Sequence, residues 1–250
     1  MTRYQLLIEY DGHGFVGWQR QDNGLGVQQV LEDAVSAFSG EAVVVQGAGR
    51  TDAGVHALGQ VAHLDLAKEW PADTVRDAMN AHMKTHAVSV LTARVAVPDF
   101  HARFSAIRRA YRYCIVNRRA PLCIAQGHAW WVPSPLDSDA MAKAAGVLIG
   151  HHDFTTFRAS ECQANSPEKT LDELTVRRCG EDIEIIARAR SFLHHQVRNM
   201  VGSLAWVGEG KWTSDDMRRA LAAKDRRAGG PTAPADGLFL VSVGYGDDNE

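Results

Sequence analysis

The chain has 250 residues, 45% of them hydrophobic, and a formal net charge of −3. That is enough apolar material for one large domain or two small ones, and it rules out a disordered tail protein. No apolar run approaches the roughly 20 residues that a membrane helix needs. No membrane partner is therefore expected. The opening MTRYQLLIEYD has neither the basic start nor the long apolar stretch of a signal peptide, so the cytoplasm is the expected location.

The elements read in chain order as follows. YQLLIEY is a strand, and Val27, Val30, Leu31, Ala34, Val35 and Phe38 recur at three- and four-residue spacing as one helix face. EAVVVQGA and VHALGQVAHLDL read as two strands with GRTDAG, rich in turn residues, as the corner between them. Pro71 opens a helix with Val75, Ala78, Met79 and His82 in register, and AVSVLTARVAV closes the half as a strand. The first half is thus β-α-β-β-α-β. The second half repeats that order with insertions: a strand around AYRYCIV, a helix in LDSDAMAKAAGVLIG, strands at LDELTVRR and DIEIIARAR, a helix starting at Ser191, a short one after Ser214, and GLFLVSVGY as the last strand. Both halves fit the split β-α-β, ferredoxin-like order. The expected fold is α+β, two such halves with antiparallel or mixed sheets forming a central cleft. The expected domains are 1–100 and 101–250, with the linker between Pro98 and Ala106.

The four cysteines, Cys114, Cys123, Cys162 and Cys179, form no C-x-x-C pair, which argues against a zinc ribbon or a disulfide framework. They are expected to be reduced and half-buried. The paired histidines His151-His152 and His194-His195 lack an H-E-x-x-H pattern, and adjacent side chains point apart, so surface or capping roles are expected and no metal site. The glycines of GAGRTDAG have neither G-x-G-x-x-G spacing nor a G-K-[ST] ending, so no nucleotide cofactor is implied.

Charge is distributed unevenly. FHARFSAIRRAYRYCIVNRR, residues 100–119, holds six arginines and no acid, while acids collect at Glu181–Glu184 and in the DDNE tail. Arginines interleaved with Tyr111 and Tyr113 suit phosphates and stacked bases, and Arg177, Arg178, Arg188 and Arg190 extend the set if they face the same way. In GRTDAG, local spacing favours a plain turn, with Asp52 bonding nearby N–H groups and Gly54 supplying positive φ. A carboxylate fixed at a sheet corner beside Arg50 can also serve as nucleophile or base. Arg198 borders the apolar stripe of the Ser191 helix, where an arginine snorkels or finds a carboxylate.

GAGRTDAGVHALGQVAHLD resembles the active-site block of the TruA-type tRNA pseudouridine synthases. YDGHGFVGWQRQ, FHARFSAIRRAYRY, GHHDFTTFRASECQ, SFLHHQVRNMVGSL and APADGLFLVSVGY resemble further blocks of that family, in order along nearly the whole chain. The resemblance implies isomerisation of uridine to pseudouridine at positions 38, 39 and 40 of the tRNA anticodon stem-loop, by a homodimer without a cofactor. It places the catalytic aspartate at Asp52, its arginine partner at Arg198, the substrate-contacting tyrosine at Tyr111, the arginine of base flipping at Arg50 and an apolar pocket residue at Leu238. Whether Asp52 attacks C1′, adds to C6 or removes a C2′ proton stays open.

Two other readings compete. A non-catalytic RNA-binding protein of ferredoxin-like fold would carry a [KR]-G-[FY]-[GA]-F-V-x-[FY] motif, which this sequence lacks. A hydrolase would pair Asp52 with Asp11 or Asp65 and release free base.

Overall fold

Tyr4, Leu6, Ile8 and Tyr10 are buried at every second position of the first strand, the two-residue period of a sheet with one covered face. The computed structural model describes residues 1–246; the DDNE tail lies outside the described residues. In chain order the elements are β1 (Thr2–Tyr10), α1 (Val27–Ser39), β2 (Gln46–Gly47), β3 (His56–Leu66), α2 (Ala72–His82), β4 (Val88–Val95), β5 (Ala106–Asn117), β6 (Trp130–Val132), α3 (Ser138–Ala145), β7 (Gly150–Asp153), β8 (Glu168–Cys179), β9 (Asp182–Ala189), α4 (Gln196–Gly208), α5 (Ser214–Ala223) and β10 (Leu238–Tyr245). The fold is α+β, in two compact units. One comprises Met1–Ile107 and the chain from Phe239 onward, the other Arg108–Leu238.

In the first unit, β1 pairs antiparallel with β3 and β4, β2 pairs antiparallel with β3, and β10 runs parallel to β3. Helix α1 lies beside α2, and α2 against β4. Their buried stripes, Val27, Val30, Leu31, Ala34 and Val35 on one and Val75 and Met79 on the other, match the periodic positions of the sequence. The strand expected over EAVVVQGA is far shorter, because its backbone is claimed by α1: Gln28 Nε2 donates to the Val45 carbonyl at 3.0 Å and Val45 N–H donates to Glu32 Oε1 at 3.2 Å.

The second unit carries an antiparallel run β5–β9–β8–β7, with β6 parallel to β5. Helix α4 is buried around most of its circumference, as a central helix is. Its small residues allow this: a Cβ on Gly202 would stand 1.8 Å from the Pro231 carbonyl oxygen, and one on Gly208 would stand 2.7 Å from Met141 Sδ. The helix begins at Gln196 rather than Ser191. His195 has φ 60°, outside helical geometry, and the Gln196 side chain accepts the Leu193 N–H at 2.8 Å. Of the free cysteines, Cys114 and Cys162 are half-buried while Cys123 and Cys179 are exposed.

The stretch after β4 is tied down on the first unit. Arg3 donates to the Pro98 and Phe100 carbonyls, each at 2.8 Å, while holding Asp65 at 2.7 Å from both Nε and Nη2. Ala102 N–H donates to buried His63 Nδ1 at 3.1 Å, and the Tyr245 hydroxyl donates to the Ala102 carbonyl at 2.7 Å. Burial, with His101 and Arg3 nearby, pushes the His63 imidazole down to about 4. A neutral imidazole is what an accepting Nδ1 requires.

Because the folded form of His63 holds its proton less tightly than the unfolded chain, its contribution to stability is complete above the ordinary histidine value near 6.5. It declines as pH falls from 6.5 towards 4 and is constant below that. Unfolding in urea across this range is expected to show a loss of up to ~3 kcal/mol, and His63→Gln is expected to flatten the slope.

Candidate active site

The corner between β2 and β3 is built by backbone. Val55 N–H donates to the Asp52 carbonyl at 3.1 Å, and Gly54 sits at φ 77°, the left-handed conformation glycine adopts without strain. Asp52 is half-buried, Arg50 before it is exposed, and Thr51 between them is buried. Thr51 is held twice: its Oγ1 hydrogen-bonds the Tyr10 hydroxyl at 2.8 Å, and its carbonyl accepts Trp18 N–H at 3.1 Å. The corner is therefore both the turn and the carboxylate mount that its sequence allows.

Residues 11–18 fold over this corner at close range. A Cβ on Gly12 would stand 2.2 Å from the Val55 carbonyl oxygen, and one on Gly17 would stand 2.6 Å from that of Thr51. The glycines of YDGHGFVGWQRQ are thus a packing requirement of the corner. His56, four residues beyond Asp52, is buried at the base of the same loop, with Nδ1 3.0 Å from both Gly12 N and Asp11 Oδ1, and it stacks on Phe239 with centroids 4.6 Å apart.

Sequence reasoning passed over Tyr10 and Gln60 in this unit. Burial pushes the Tyr10 hydroxyl up to about 12, opposed by its contacts with Thr51 and then Gln60. Gln60 is fully buried; its Nε2 donates to the Gly49 carbonyl at 2.9 Å, while Oε1 has no hydrogen-bond partner among the described residues. An unsatisfied buried polar atom costs about 1–3 kcal/mol. The signal was present in the strand alternation: Gln60, Ala62, Leu64 and Leu66 share one register, and three of the four are apolar.

In the second unit, Tyr111 and Tyr113 lie on one face of β5. Tyr113 is buried and donates to the Pro234 carbonyl at 2.8 Å; burial raises its hydroxyl pKa well above the usual value, with Arg198 opposing and Asp236 reinforcing. Tyr111 is half-buried, its ring edge-to-face against Phe192 at 5.2 Å. Arg198, half-buried on α4, donates through Nε to the Ala233 carbonyl at 2.8 Å, and Ala233 N–H returns a bond to the Arg198 carbonyl at 3.1 Å. Leu238 is buried and closes the same segment, its N–H donating to the Ala235 carbonyl at 2.8 Å. The structure brings Arg198, Tyr113 and Leu238 to one strap, residues 229–238.

The strap is pinned from α4. Asn199 Oδ1 accepts Arg226 Nη2 at 3.1 Å and the Thr232 hydroxyl at 2.6 Å, and its Nδ2 donates to the Phe157 carbonyl at 2.9 Å. Ser203 Oγ, one turn later, accepts Gly230 N–H at 3.0 Å. The signal for both was polar residues at positions 199 and 203 of a largely apolar helix.

The arginine stripe is not one uniform face. Arg109 is buried and donates to the Arg190 carbonyl, Arg118 pairs with Glu181 at 3.1 Å, Arg188 pairs with Glu173, and Arg178 donates to Asn117 Oδ1 and the Leu136 carbonyl, each at 2.8 Å. Arg103, Arg108, Arg119, Arg177 and Arg190 present exposed side chains. His151 meets Thr170 Oγ1 at 3.2 Å and His152 meets the Ile149 carbonyl at 2.9 Å, but His194 and His195 do not point apart as adjacent side chains are expected to: their rings lie 4.0 Å apart, where His195 takes a left-handed backbone outside helix and strand.

A family model described as tRNA pseudouridine synthase matches residues 6–105 and 144–246, which include the Asp52 corner, α4 and the strap. The chain is 64% identical over 245 residues to the tRNA pseudouridine synthase A of Paramagnetospirillum magneticum, covering 98% of this chain and 96% of that one. It is 62% identical to the protein of that name from Rhodopseudomonas palustris (strain HaA2) and 58% identical to that of Sinorhizobium fredii, covering 98% of this chain and 100% of each relative. A family model that matches most of the chain, with relatives 58–64% identical over 98% of it, shows that the chain belongs to the tRNA pseudouridine synthase family.

Proposed function

We propose that this protein isomerises uridine to pseudouridine at positions 38, 39 and 40 of the tRNA anticodon arm, with Asp52 as the carboxylate that acts on the nucleotide. The observation that carries the reading is the mounting of Asp52: a half-buried carboxylate on a turn whose preceding residue is fixed through side chain and carbonyl. Such fixation supplies the orientation on which nucleophilic or base catalysis depends.

The reaction breaks the N1–C1′ bond, turns the uracil, forms a C5–C1′ bond, and releases the C5 proton while N1 takes one up. The composition of the nucleotide is unchanged and no oxidant or reductant is needed, so the chemistry asks for an ionised carboxylate rather than a redox group. Arg198 is assigned as the cation that supports the carboxylate. The target base must leave its stack at a cost of a few kcal/mol. Tyr111 is assigned as the surface that receives it, Arg50 as the side chain that helps displace it, and Leu238 as an apolar wall. The exposed arginines suit phosphates, and recognition by the shape of the folded arm fits an enzyme that acts on neighbouring uridines.

The remaining assignments follow the same reading. Each unit is taken as ferredoxin-like, the first carrying Asp52 and the second Tyr111 and Arg198; the β4–β1–β3–β2 adjacency in the first unit supports the first of these. The working form is taken to be a cytoplasmic homodimer gripping one tRNA.

Incubation with unmodified tRNA followed by pseudouridine mapping is expected to give product at positions 38–40 with the wild-type protein. Asp52→Ala is expected to lower the rate by at least roughly 1,000-fold. Binding without product would support the RNA-binding alternative, and free uracil would support the hydrolase. Tyr111→Phe is expected to keep tRNA binding, whereas Tyr111→Ala loses roughly 10- to 100-fold in rate, the equivalent of about 1–3 kcal/mol of stacking. The tRNA dissociation constant is expected to rise steeply with salt; a flat response would remove the arginines from the phosphate-binding role.

A further inference from the structure

Gln60 is an anomaly on stability grounds alone. It occupies an apolar register of β3, is fully buried, and leaves Oε1 without a hydrogen-bond partner among the described residues. A methionine there would fill similar volume with no polar atom to satisfy. What Gln60 does make is one bond to the Gly49 carbonyl, at 2.9 Å, and a contact with the Tyr10 hydroxyl. Tyr10 in turn bonds Thr51 Oγ1 at 2.8 Å. Gly49 and Thr51 flank Arg50, so the two side chains fix the chain on both sides of Arg50, two residues before Asp52.

We propose that Gln60 and Tyr10 are positioning residues for Asp52: together they hold the Gly49–Thr51 backbone in the single arrangement that delivers the carboxylate to the nucleotide, at a cost in stability borne by Gln60. The inference rests on the assignment of Asp52 above. Neither side chain touches substrate in this scheme. Both act through Gly49 and Thr51, and they form one chain of contacts rather than two independent supports. The loop 11–18 fixes the Thr51 carbonyl from another side, through Trp18 N–H at 3.1 Å, so the turn survives when the pair is altered. What is lost is the exactness of the carboxylate's placement, and misplacement by about 1 Å costs on the order of 100-fold in rate.

The test is single-turnover pseudouridine formation on unmodified tRNA, with tRNA affinity and thermal midpoint measured on the same preparations. Gln60→Met and Tyr10→Phe are each expected to lower the rate by roughly 10- to 100-fold, with the dissociation constant for tRNA unchanged within about twofold. The thermal midpoint of Gln60→Met is expected to stay near that of the wild type, since the bond to the Gly49 carbonyl is lost together with the unsatisfied oxygen; a glutamine kept for stability alone would give a clear fall. The double variant is expected to lose no more than the worse single, because the residues belong to one chain. Gln60→Glu, kept neutral by burial and so still able to accept and donate, is expected to recover most of the rate. A wild-type rate in Gln60→Met, or a rate loss matched by loss of folded protein, overturns the inference. A wild-type rate in Asp52→Asn would instead overturn the assignment of Asp52 itself.

Discussion

Thr51 receives a hydrogen bond on its carbonyl from Trp18 and shares one through its hydroxyl with Tyr10, and the geometry of the whole corner depends on those two contacts. A side chain as short as aspartate inherits its direction from the backbone that carries it. With only two rotatable bonds of its own, Asp52 is positioned largely by the φ and ψ of residues 50–52. Fixing Thr51 from two directions therefore helps to aim the carboxylate.

The same economy governs the second unit. Arg198 has a long, flexible side chain, and such chains lose much rotamer freedom when ordered. The strap at 229–238 meets part of that demand: the Ala233 carbonyl accepts from Nε, and Ala233 N–H binds the backbone of the same arginine. The strap keeps its place because Asn199 and Ser203, one helical turn apart, reach it from α4. Gly202 lets it lie against the helix backbone, where any side chain would collide with Pro231. Helix, strap and guanidinium form one construction, and its parts are spread over 40 residues of sequence.

Periodicity located most of the elements. The α1 and α2 stripes, the alternation in β1 and β9, the turn at GRTDAG and the positive φ of Gly54 all follow from local rules, and local rules act on residues a few positions apart. Where the sequence reading departed from the structure, a distant group or an unforeseen backbone conformation had intervened. Residues 43–45 have the β-branched character of a strand, yet Gln28 and Glu32 of α1 take the backbone groups of Val45. The helix expected from Ser191 starts five residues later because His195 adopts a left-handed conformation that propensity does not foresee. The arginine stripe looks uniform in sequence, but Arg109, Arg118, Arg178 and Arg188 are engaged by carbonyls and carboxylates from other strands and loops.

By itself the sequence determined the α+β class, the order of elements, the turn at Asp52 and, through six blocks in fixed order, the family. These depend on composition, short-range spacing and motif order, all of which are written along the chain. Only the tertiary structure decided that the chain from Phe239 onward joins the first unit rather than the second, running parallel to β3. It also decided that Tyr10 and Gln60 meet at Thr51 and Gly49, and that a loop 40 residues upstream closes over the corner. Those facts arise from contacts between residues far apart in sequence, where the energy lies in which backbone atoms approach one another, and a linear pattern carries no record of that.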